Sequence, residues 1–201
     1  MKLHRTVFDT PFISTILRII SRFLLFCAKW ESRGTLPNTR KFVLIAAPHT
    51  SNWDLYYMLL IAFDLKASIY WMGKDAIFKK PFGHLMRWLG GVPIDRSKSN
   101  NTVEQSIELF DQSNRLILTV PPSGTRSRVS YWKTGFYHIA NGASVPIVLG
   151  FLDYRLRAGG IGPLVQPTGD ITKDMKVIST FYADITGKHP IQMLTALNQN
   201  D

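Results

Sequence analysis

The sequence predicts an α/β fold with a largely parallel sheet flanked by helices, because apolar strand-like runs alternate with helical patterns along the chain. Residues 42–47, 116–120 and 144–152 are mostly apolar, which is typical of strands that are buried on both faces. A chain of 201 residues is also long enough to bury one core. We therefore expect one such domain, preceded by an amphipathic N-terminal helix.

The first predicted helix covers residues 13–30. Its polar residues fall near one face, and most of its apolar residues fall on the other: Ser14, Arg18, Ser21, Arg22 and Lys29 against Ile13, Ile16, Leu17, Ile20, Phe23, Leu24 and Cys27. Arg18 and Arg22 near the middle argue against both a membrane-spanning helix and a signal peptide. The helix alone leaves two alternatives, a helix lying in the lipid headgroup layer and a helix packed on the core.

The remaining elements follow in alternation after a polar connector over residues 31–40. Apolar or extended runs predict strands at residues 42–47, 68–72, 92–94, 116–120, 144–152 and 161–166. Helical patterns cover residues 55–63, 75–89, 102–113, 132–141 and 173–186, with Thr102 as a possible helix cap.

Composition narrows the classes of partner. Lys and Arg number 24 against 14 Asp and Glu, giving a formal charge of +10, which favours nucleic acid, anionic lipid or phosphate-bearing small molecules. Nucleic acid is disfavoured, because the chain carries no RNA-binding signature, zinc-finger spacing or clear helix-turn-helix. The single cysteine, Cys27, excludes an intrachain disulfide and a cysteine cluster for metal, which suits a reducing compartment.

Polar clusters follow three of the predicted strands. They cover residues 49–54, Asp95 with Arg96, and residues 123–126. In open α/β sheets, ligands bind outside the carboxyl ends of the strands, so we expect the three clusters to meet at one edge. Arg96 and Arg126 would suit a phosphate-bearing ligand there, because guanidinium groups bind phosphate by paired hydrogen bonds, although a surface ion pair is the simpler alternative.

His49 and Asp54 form the candidate catalytic pair in the first cluster. Residues five apart on one continuous helix are turned about 140° from each other and would meet poorly. If His49 lies in the loop and Asp54 in the first helical turn, the loop can fold the imidazole onto the carboxylate. A histidine held in this way is a usable general base.

Four blocks of sequence, in order, resemble the glycerolipid acyltransferase family that includes lysophosphatidic acid acyltransferases. The first is the family's signature of a histidine, four residues and an aspartate, here His49 and Asp54 with Ser51 between them. The others are G-G-V-P-I-D-R at residues 90–96, P-S-G-T-R-S at 122–127 and V-P-I-V at 145–148. The blocks lie between residues 41 and 150.

The resemblance implies acyl transfer from a thioester, either acyl-CoA or acyl carrier protein, to a hydroxyl of a lysolipid. His49 would be the general base and Asp54 its orienting partner. Acceptor binding would fall to Arg96 and the 123–126 loop, namely Ser123, Gly124, Thr125 and Arg126. No metal or bound cofactor is implied. A thioester carbonyl is already reactive, so a base and donors for the developing oxyanion suffice.

Three positions depart from the family pattern: Pro48 stands where the family commonly has Asn, Pro93 replaces an aromatic residue, and Ser123 replaces a glutamate. Because serine lacks the charge of that glutamate, the sequence does not determine which headgroup the acceptor carries. Together the departures motivate an alternative, a lipid-binding or interaction protein that keeps the fold with reduced activity.

Lipid substrates make the interfacial alternative for the first helix the better one. We therefore expect residues 1–35 to form a membrane-associating helical region and residues 36–201 the acyltransferase domain. The protein would be a peripheral protein on an anionic membrane surface at the cytoplasmic face. Lys74, Lys79, Lys80 and Arg87 could receive CoA phosphates, a carrier protein or lipid headgroups, or form a solvated face.

Overall fold

A computed structural model describes residues 3–94, 99–127, 129 and 131–190. For residues 94 and 99–101 it describes the backbone only. The predicted alternation of strands and helices is confirmed. Seven strands form one sheet, in the order β1-β7-β6-β2-β5-β3-β4: β1 (Glu31–Arg33), β2 (Lys41–Ala47), β3 (Ile69–Lys74), β4 (Gly91–Ile94), β5 (Leu116–Val120), β6 (Ile147–Asp153) and β7 (Ala158–Val165). All neighbours are parallel except β6 and β7, which form an antiparallel hairpin.

Six α-helices are described: α1 (Pro11–Ala28), α2 (Trp53–Asp64), α3 (Gly83–Trp88), α4 (Ser99–Gln112), α5 (Gly135–Gly142) and α6 (Ile171–Tyr182). Two short 3₁₀ helices, Val7–Asp9 and Asp75–Phe78, complete the helical elements. Thr102 lies inside α4, so the prediction that it caps this helix is wrong.

The core lies on both faces of the sheet, since successive side chains of β2 point to opposite sides. Val43 and Ile45 pack in a cluster with residues of α4, α5 and α6. Phe42 and Leu44 pack on the other face, in a cluster that includes Ala62 of α2. Helix α1 packs in turn on α2, which places it outside the second face.

The predicted helix over residues 75–89 is wrong. The chain forms the 3₁₀ helix Asp75–Phe78, becomes extended at Lys79, and resumes as α3 at Gly83. Pro81 accounts for the break, because proline has no N–H for an interior helical hydrogen bond and disfavours helical backbone in the residue before it.

Some residues before the expected boundary at residue 35 belong to the sheet. Strand β1 pairs in parallel with β7, in a register that sets Ser32 opposite Gly159. The sequence predicts a polar connector over residues 31–40 instead. An edge strand of three polar or charged residues gives no apolar alternation from which it could be predicted.

Helix α1 turns its apolar face outward. Ser21 and Leu25 are buried, and the Arg18 Nε donates to the Asp64 carbonyl at the end of α2, 3.2 Å away. The opposite face is exposed, with Phe12 86% and Phe26 81% accessible, and it also carries Ile13, Ile16, Ile19, Ile20 and Phe23. By length and composition alone, α1 could also cross a membrane. Helix α1 therefore packs on the domain through Leu25, which clusters with Leu60 and Ile61, while its larger apolar face is exposed.

Candidate active site

The pair of His49 and Asp54 forms as the loop geometry predicted. Strand β2 ends at Ala47 and α2 begins at Trp53, so His49 lies in the connecting loop and Asp54 in the first helical turn. The His49 Nδ1 lies 3.1 Å from the Asp54 Oδ2. The hydroxyl of Ser51 accepts a hydrogen bond from the Trp53 N–H, which ties the loop to the start of the helix.

Asp54 is held by several donors at once. Its Oδ2 accepts the N–H groups of Thr50 and Ser51 at 2.7 and 2.8 Å, besides contacting His49. Its Oδ1 accepts the hydroxyl of Tyr154 at 2.7 Å. Burial alone would raise the pKa of Asp54, but the hydrogen bonds from His49, Tyr154 and Ser51 outweigh it and hold the pKa below its usual value. Asp54 is therefore ionised at neutral pH.

The ionised carboxylate fixes the tautomer of His49. A carboxylate can only accept hydrogen bonds, so the Nδ1 of His49 carries a proton and the Nε2 of the neutral ring is left as the basic nitrogen. The side chain of His49 is 28% exposed, against 6% for Asp54. The pair thus combines a buried anchor with an imidazole that a substrate can reach.

The 123–126 loop meets the same cavity as His49. Strands β2 and β5 are parallel neighbours, so their carboxyl ends lie side by side. Gly124, Thr125 and Arg126 line the cavity with His49 and Asp54. Gly124 has a φ of +62°, a left-handed conformation that favours glycine. This is the convergence that the strand ends predicted for two of the three clusters.

Ser123 has a different position from its three neighbours. It is buried, and its hydroxyl donates to the Thr125 carbonyl 2.6 Å away. It does not line the cavity, so its direct role in acceptor binding stays a prediction. Asp95 and Arg96 lie outside the described residues.

Two residues that were predicted to begin a helix, Trp132 and Lys133, instead hold the loop in place. Helix α5 begins at Gly135 rather than at the predicted residue 132. The Lys133 N–H instead donates to the Pro122 carbonyl at 2.9 Å, and the ring of Trp132 packs against Tyr182. Lys133 also lies over Gly124, with its Cδ 3.4 Å from where a β-carbon would be.

The cavity runs from this polar edge between α2 and the sheet. It has a volume of about 460 Å³. Its inner part is lined mainly by apolar side chains of α2 and of the sheet face beneath it: Leu44, Leu55, Met58, Ile61, Ala62, Leu65, Ile69 and Ile161. Gly150 and Gly160 also line it and add no side-chain volume. A polar mouth and an apolar interior fit a molecule with a reactive head and a hydrocarbon tail.

Tyr154 was missed from the sequence. It follows β6, directly after the apolar run at residues 144–152, and so lies at the same sheet edge as the predicted clusters. The strand-end rule that selected the other clusters would have selected it too.

Metal ligation has no support in this part of the chain. Within residues 3–94, 99–127, 129 and 131–190, the His, Cys, Asp and Glu side chains form no group of three or more that could hold a metal ion.

Comparison with known proteins gives a match to one protein family. Residues 29–148 match the family model described as Acyltransferase. The chain is 30% identical over 134 residues to a 1-acyl-sn-glycerol-3-phosphate acyltransferase of Haemophilus influenzae, covering 62% of this chain and 53% of the relative. A Streptococcus pneumoniae protein of the same name is 30% identical over 100 residues, covering 49% of this chain and 37% of that relative. The chain thus spans about half or less of these relatives' length.

A solved structure shares the fold. The crystal structure of a 1-acyl-sn-glycerophosphate acyltransferase from Thermotoga maritima superposes with a TM-score of 0.60 at 16% identity, covering 87% of this chain and 80% of that one. The family match spans the His49–Asp54 pair, the 123–126 loop and the strands that carry them. The chain belongs to the acyltransferase family.

Proposed function

We propose that the protein transfers an acyl chain from a thioester, acyl-CoA or acyl carrier protein, to a hydroxyl of a lysolipid. The observation that carries the proposal is the His49–Asp54 pair at the mouth of an apolar cavity. The relatives named for 1-acyl-sn-glycerol-3-phosphate make that lysolipid the first acceptor to test.

In the proposed reaction, the Nε2 of His49 takes the proton of the acceptor hydroxyl as its oxygen attacks the thioester carbonyl. The C–S bond then breaks, and the leaving thiolate takes the proton from the imidazolium. Asp54 stabilises the imidazolium while it exists, and its hydrogen bonds to the loop keep it ionised. His49 begins and ends the cycle neutral, so no cofactor is needed.

Substrate placement follows from the two ends of the cavity. Arg126 lines the mouth, where its guanidinium would bind a phosphate of the acceptor. The apolar inner part would hold an acyl chain, because burying each methylene contributes about 0.8 kcal/mol. Arg96 would add a second guanidinium, as the family resemblance implies.

We further propose that the protein is peripheral to the membrane at its cytoplasmic face. The outward apolar face of α1 supports this, because such a face is stable when it is covered by lipid. The net charge of +10 favours the anionic cytoplasmic leaflet. Arg18 and Arg22, which argued against a spanning helix, both reach Asp64 of α2 and so hold α1 along the domain.

Mass spectrometry of products tests the activity and the acceptor together. Purified protein is incubated with acyl-CoA or acyl carrier protein and a mixture of lysolipids, in parallel with the His49→Ala variant. The expected result is one or a few acylated lipids that are missing with the variant. Equal product from both proteins, or none from either, would contradict the proposal, and vesicle binding without any product would favour the lipid-binding alternative.

A further inference from the structure

Tyr154 donates a hydrogen bond to Asp54 from outside the β2–α2 loop and helix. Its hydroxyl donates to the Oδ1, while the His49 contact and both backbone donors use the Oδ2. Both carboxylate oxygens are therefore held by donors, and the carboxylate cannot rotate without losing a bond. From this geometry we infer that Tyr154 is a positioning residue for the His49–Asp54 pair, an inference that rests on the proposed function.

The turn between β6 and β7 is built to present this tyrosine. Asp153 is buried, and its Oδ1 accepts the N–H groups of Arg155 and Leu156 at 2.9 and 3.1 Å. Such side-chain bonds to the following backbone define a tight turn. The Tyr154 N–H donates to the Thr186 carbonyl at 2.8 Å, which anchors the turn to the segment after α6.

The ring of Tyr154 is held as firmly as its backbone. Trp30 lies edge-on to it with ring centroids 5.0 Å apart, and Tyr57 of α2 lies edge-on at 5.9 Å. Trp30 and Tyr57 stack on each other at 4.0 Å. The hydroxyl is thus aimed at Asp54 by packed neighbours, and burial together with the Asp54 carboxylate raises the pKa of Tyr154, so it remains a donor.

The test compares Tyr154→Phe with Tyr57→Phe. Each variant removes one hydroxyl from the same aromatic cluster, but the Tyr57 hydroxyl interacts with Trp30 rather than with Asp54. Tyr154→Phe should lower kcat about tenfold with little change in KM, the effect of losing one hydrogen bond to a charged group. Tyr57→Phe should change neither, and melting temperatures confirm that both variants fold.

A carboxyl NMR titration separates positioning from general packing. With ¹³C-labelled aspartate, and Asp54→Asn to assign the signal, the pKa of Asp54 should rise in Tyr154→Phe, which loses a hydrogen bond to the carboxylate, and stay unchanged in Tyr57→Phe. Unchanged kcat and unchanged Asp54 pKa in Tyr154→Phe would overturn the inference. If the wild type consumes no thioester, the proposed function fails, and the titration alone decides whether Tyr154 holds Asp54.

A second surface carries an independent inference about membrane contact. In the segment over residues 75–88, Phe82 is 64% exposed and Leu85 45%, and Ile77 is exposed beside them. Lys79, Lys80 and Arg87 are exposed in the same segment. We propose that this surface, the 75–88 patch, docks on an anionic lipid surface as a second contact beside α1, which deepens the proposed membrane association.

Charge and position favour lipid as the occupant. Exposed bulky apolar side chains with exposed lysines in the same segment suit the boundary between acyl chains and anionic headgroups. The patch also adjoins the chain leading into α1, because a ring nitrogen of His4 lies 2.6 Å from the Arg87 carbonyl. Lys74 and Ile77, at the edge of the patch, line the cavity, so a lipid held there would lie next to its entrance.

Sedimentation with vesicles tests the patch without any turnover. The vesicles contain phosphatidylcholine alone or mixed with phosphatidylglycerol. Lys79→Gln with Lys80→Gln should weaken binding to the anionic vesicles by about fivefold per lysine, and added salt should shrink this difference. Phe82→Ser with Leu85→Ser should weaken binding to both vesicle types.

Val177→Ser is the matched control, since Val177 is also exposed on a helix, 54% accessible, but lies on α6. It should bind as the wild type does. The second inference is overturned if both patch variants bind the vesicles as the wild type does. It is also overturned if the variants lose binding only to an acidic carrier protein. If the wild type fails to bind anionic vesicles, the proposed membrane association itself fails.

Discussion

At the scale of single residues, the chemistry depends on how one carboxylate is used. The Asp54 carboxylate has four described polar contacts. Its Oδ2 contacts the Nδ1 of His49 and two backbone N–H groups, and its Oδ1 contacts Tyr154. The sequence predicted the contact with His49, and the two backbone contacts come from the same loop, within four residues of Asp54. The fourth comes from Tyr154, 100 residues along the chain, and no local pattern encodes that distance.

Asp54→Asn should change how stability depends on pH. The folded pKa of Asp54 lies below the unfolded value of about 3.9, so its ionised form adds stability above that value. This contribution is lost as the pH falls through the folded pKa. The variant should be less stable at neutral pH and should lose less stability on acidification, as urea unfolding at a series of pH values would measure. An equally steep loss in both proteins would contradict this.

Arg126→Ala should affect the acceptor rather than the donor. A guanidinium at the cavity mouth would bind phosphate by paired hydrogen bonds, so the KM for a phosphate-bearing lysolipid should rise about tenfold or more. The KM for the thioester should change little. Arg126→Lys keeps the charge and should recover part of the loss. Steady-state kinetics with each substrate varied in turn measures both, and a change confined to the thioester would reverse the assignment.

At the scale of elements, the predictable parts are those with strong apolar periodicity. Strand β5 was predicted to the residue, because residues 116–120 form an apolar run in which Thr119 is the single polar residue. The helix predicted over residues 75–89 is wrong because Pro81 interrupts it. Strand β1 could not be predicted, since its polar residues become a strand only by pairing with β7.

Helix α1 shows a different limit of prediction from sequence periodicity. Periodicity identified two faces but could not say which one packs on the domain. In the structure Ser21 and Leu25 face inward, and the apolar majority faces outward. The choice depends on partners that are distant in sequence, here Asp64 at the end of α2.

The two faces of α1 should respond differently to substitution. Replacing Ile16, Ile19 and Phe23 with serine should lower vesicle binding strongly and leave the melting temperature nearly unchanged, because these side chains are exposed. Leu25→Ala should do the reverse and cost about 2–4 kcal/mol of unfolding free energy, because Leu25 is buried. Vesicle sedimentation and thermal unfolding on both variants measure this. A large stability loss in the first variant would place that face in the core.

At the scale of the whole molecule, the sheet brings the site together. Its parallel strands place the ends of β2 and β5 side by side. The cavity begins at these ends and lies between α2 and the sheet. The strand-end rule predicted the edge, since it needs only strand direction. The depth of the cavity depends on packing between α2 and the sheet, which no linear motif contains.

Ala62→Phe should shorten the acyl chain that the protein prefers. Ala62 lies on α2 and lines the inner cavity, so a phenyl ring there would displace the end of a long chain. Excluding two methylenes should lower kcat/KM for the longest chains by about tenfold, at about 0.8 kcal/mol each. Competition among thioesters of different chain length measures the profile. Ala62→Ser adds little volume and should keep the wild-type profile, and an unchanged profile in Ala62→Phe would place the chain elsewhere.

The most direct measurement of the central claim is thiol release from acyl-CoA in the presence of 1-acyl-sn-glycerol-3-phosphate, by the wild type and by His49→Ala. Loss of a general base typically costs about 10²–10⁴-fold in rate. The account predicts acceptor-dependent thiol release by the wild type and a loss of that size in a variant that remains folded. Acceptor-dependent release that is undiminished in His49→Ala would contradict it.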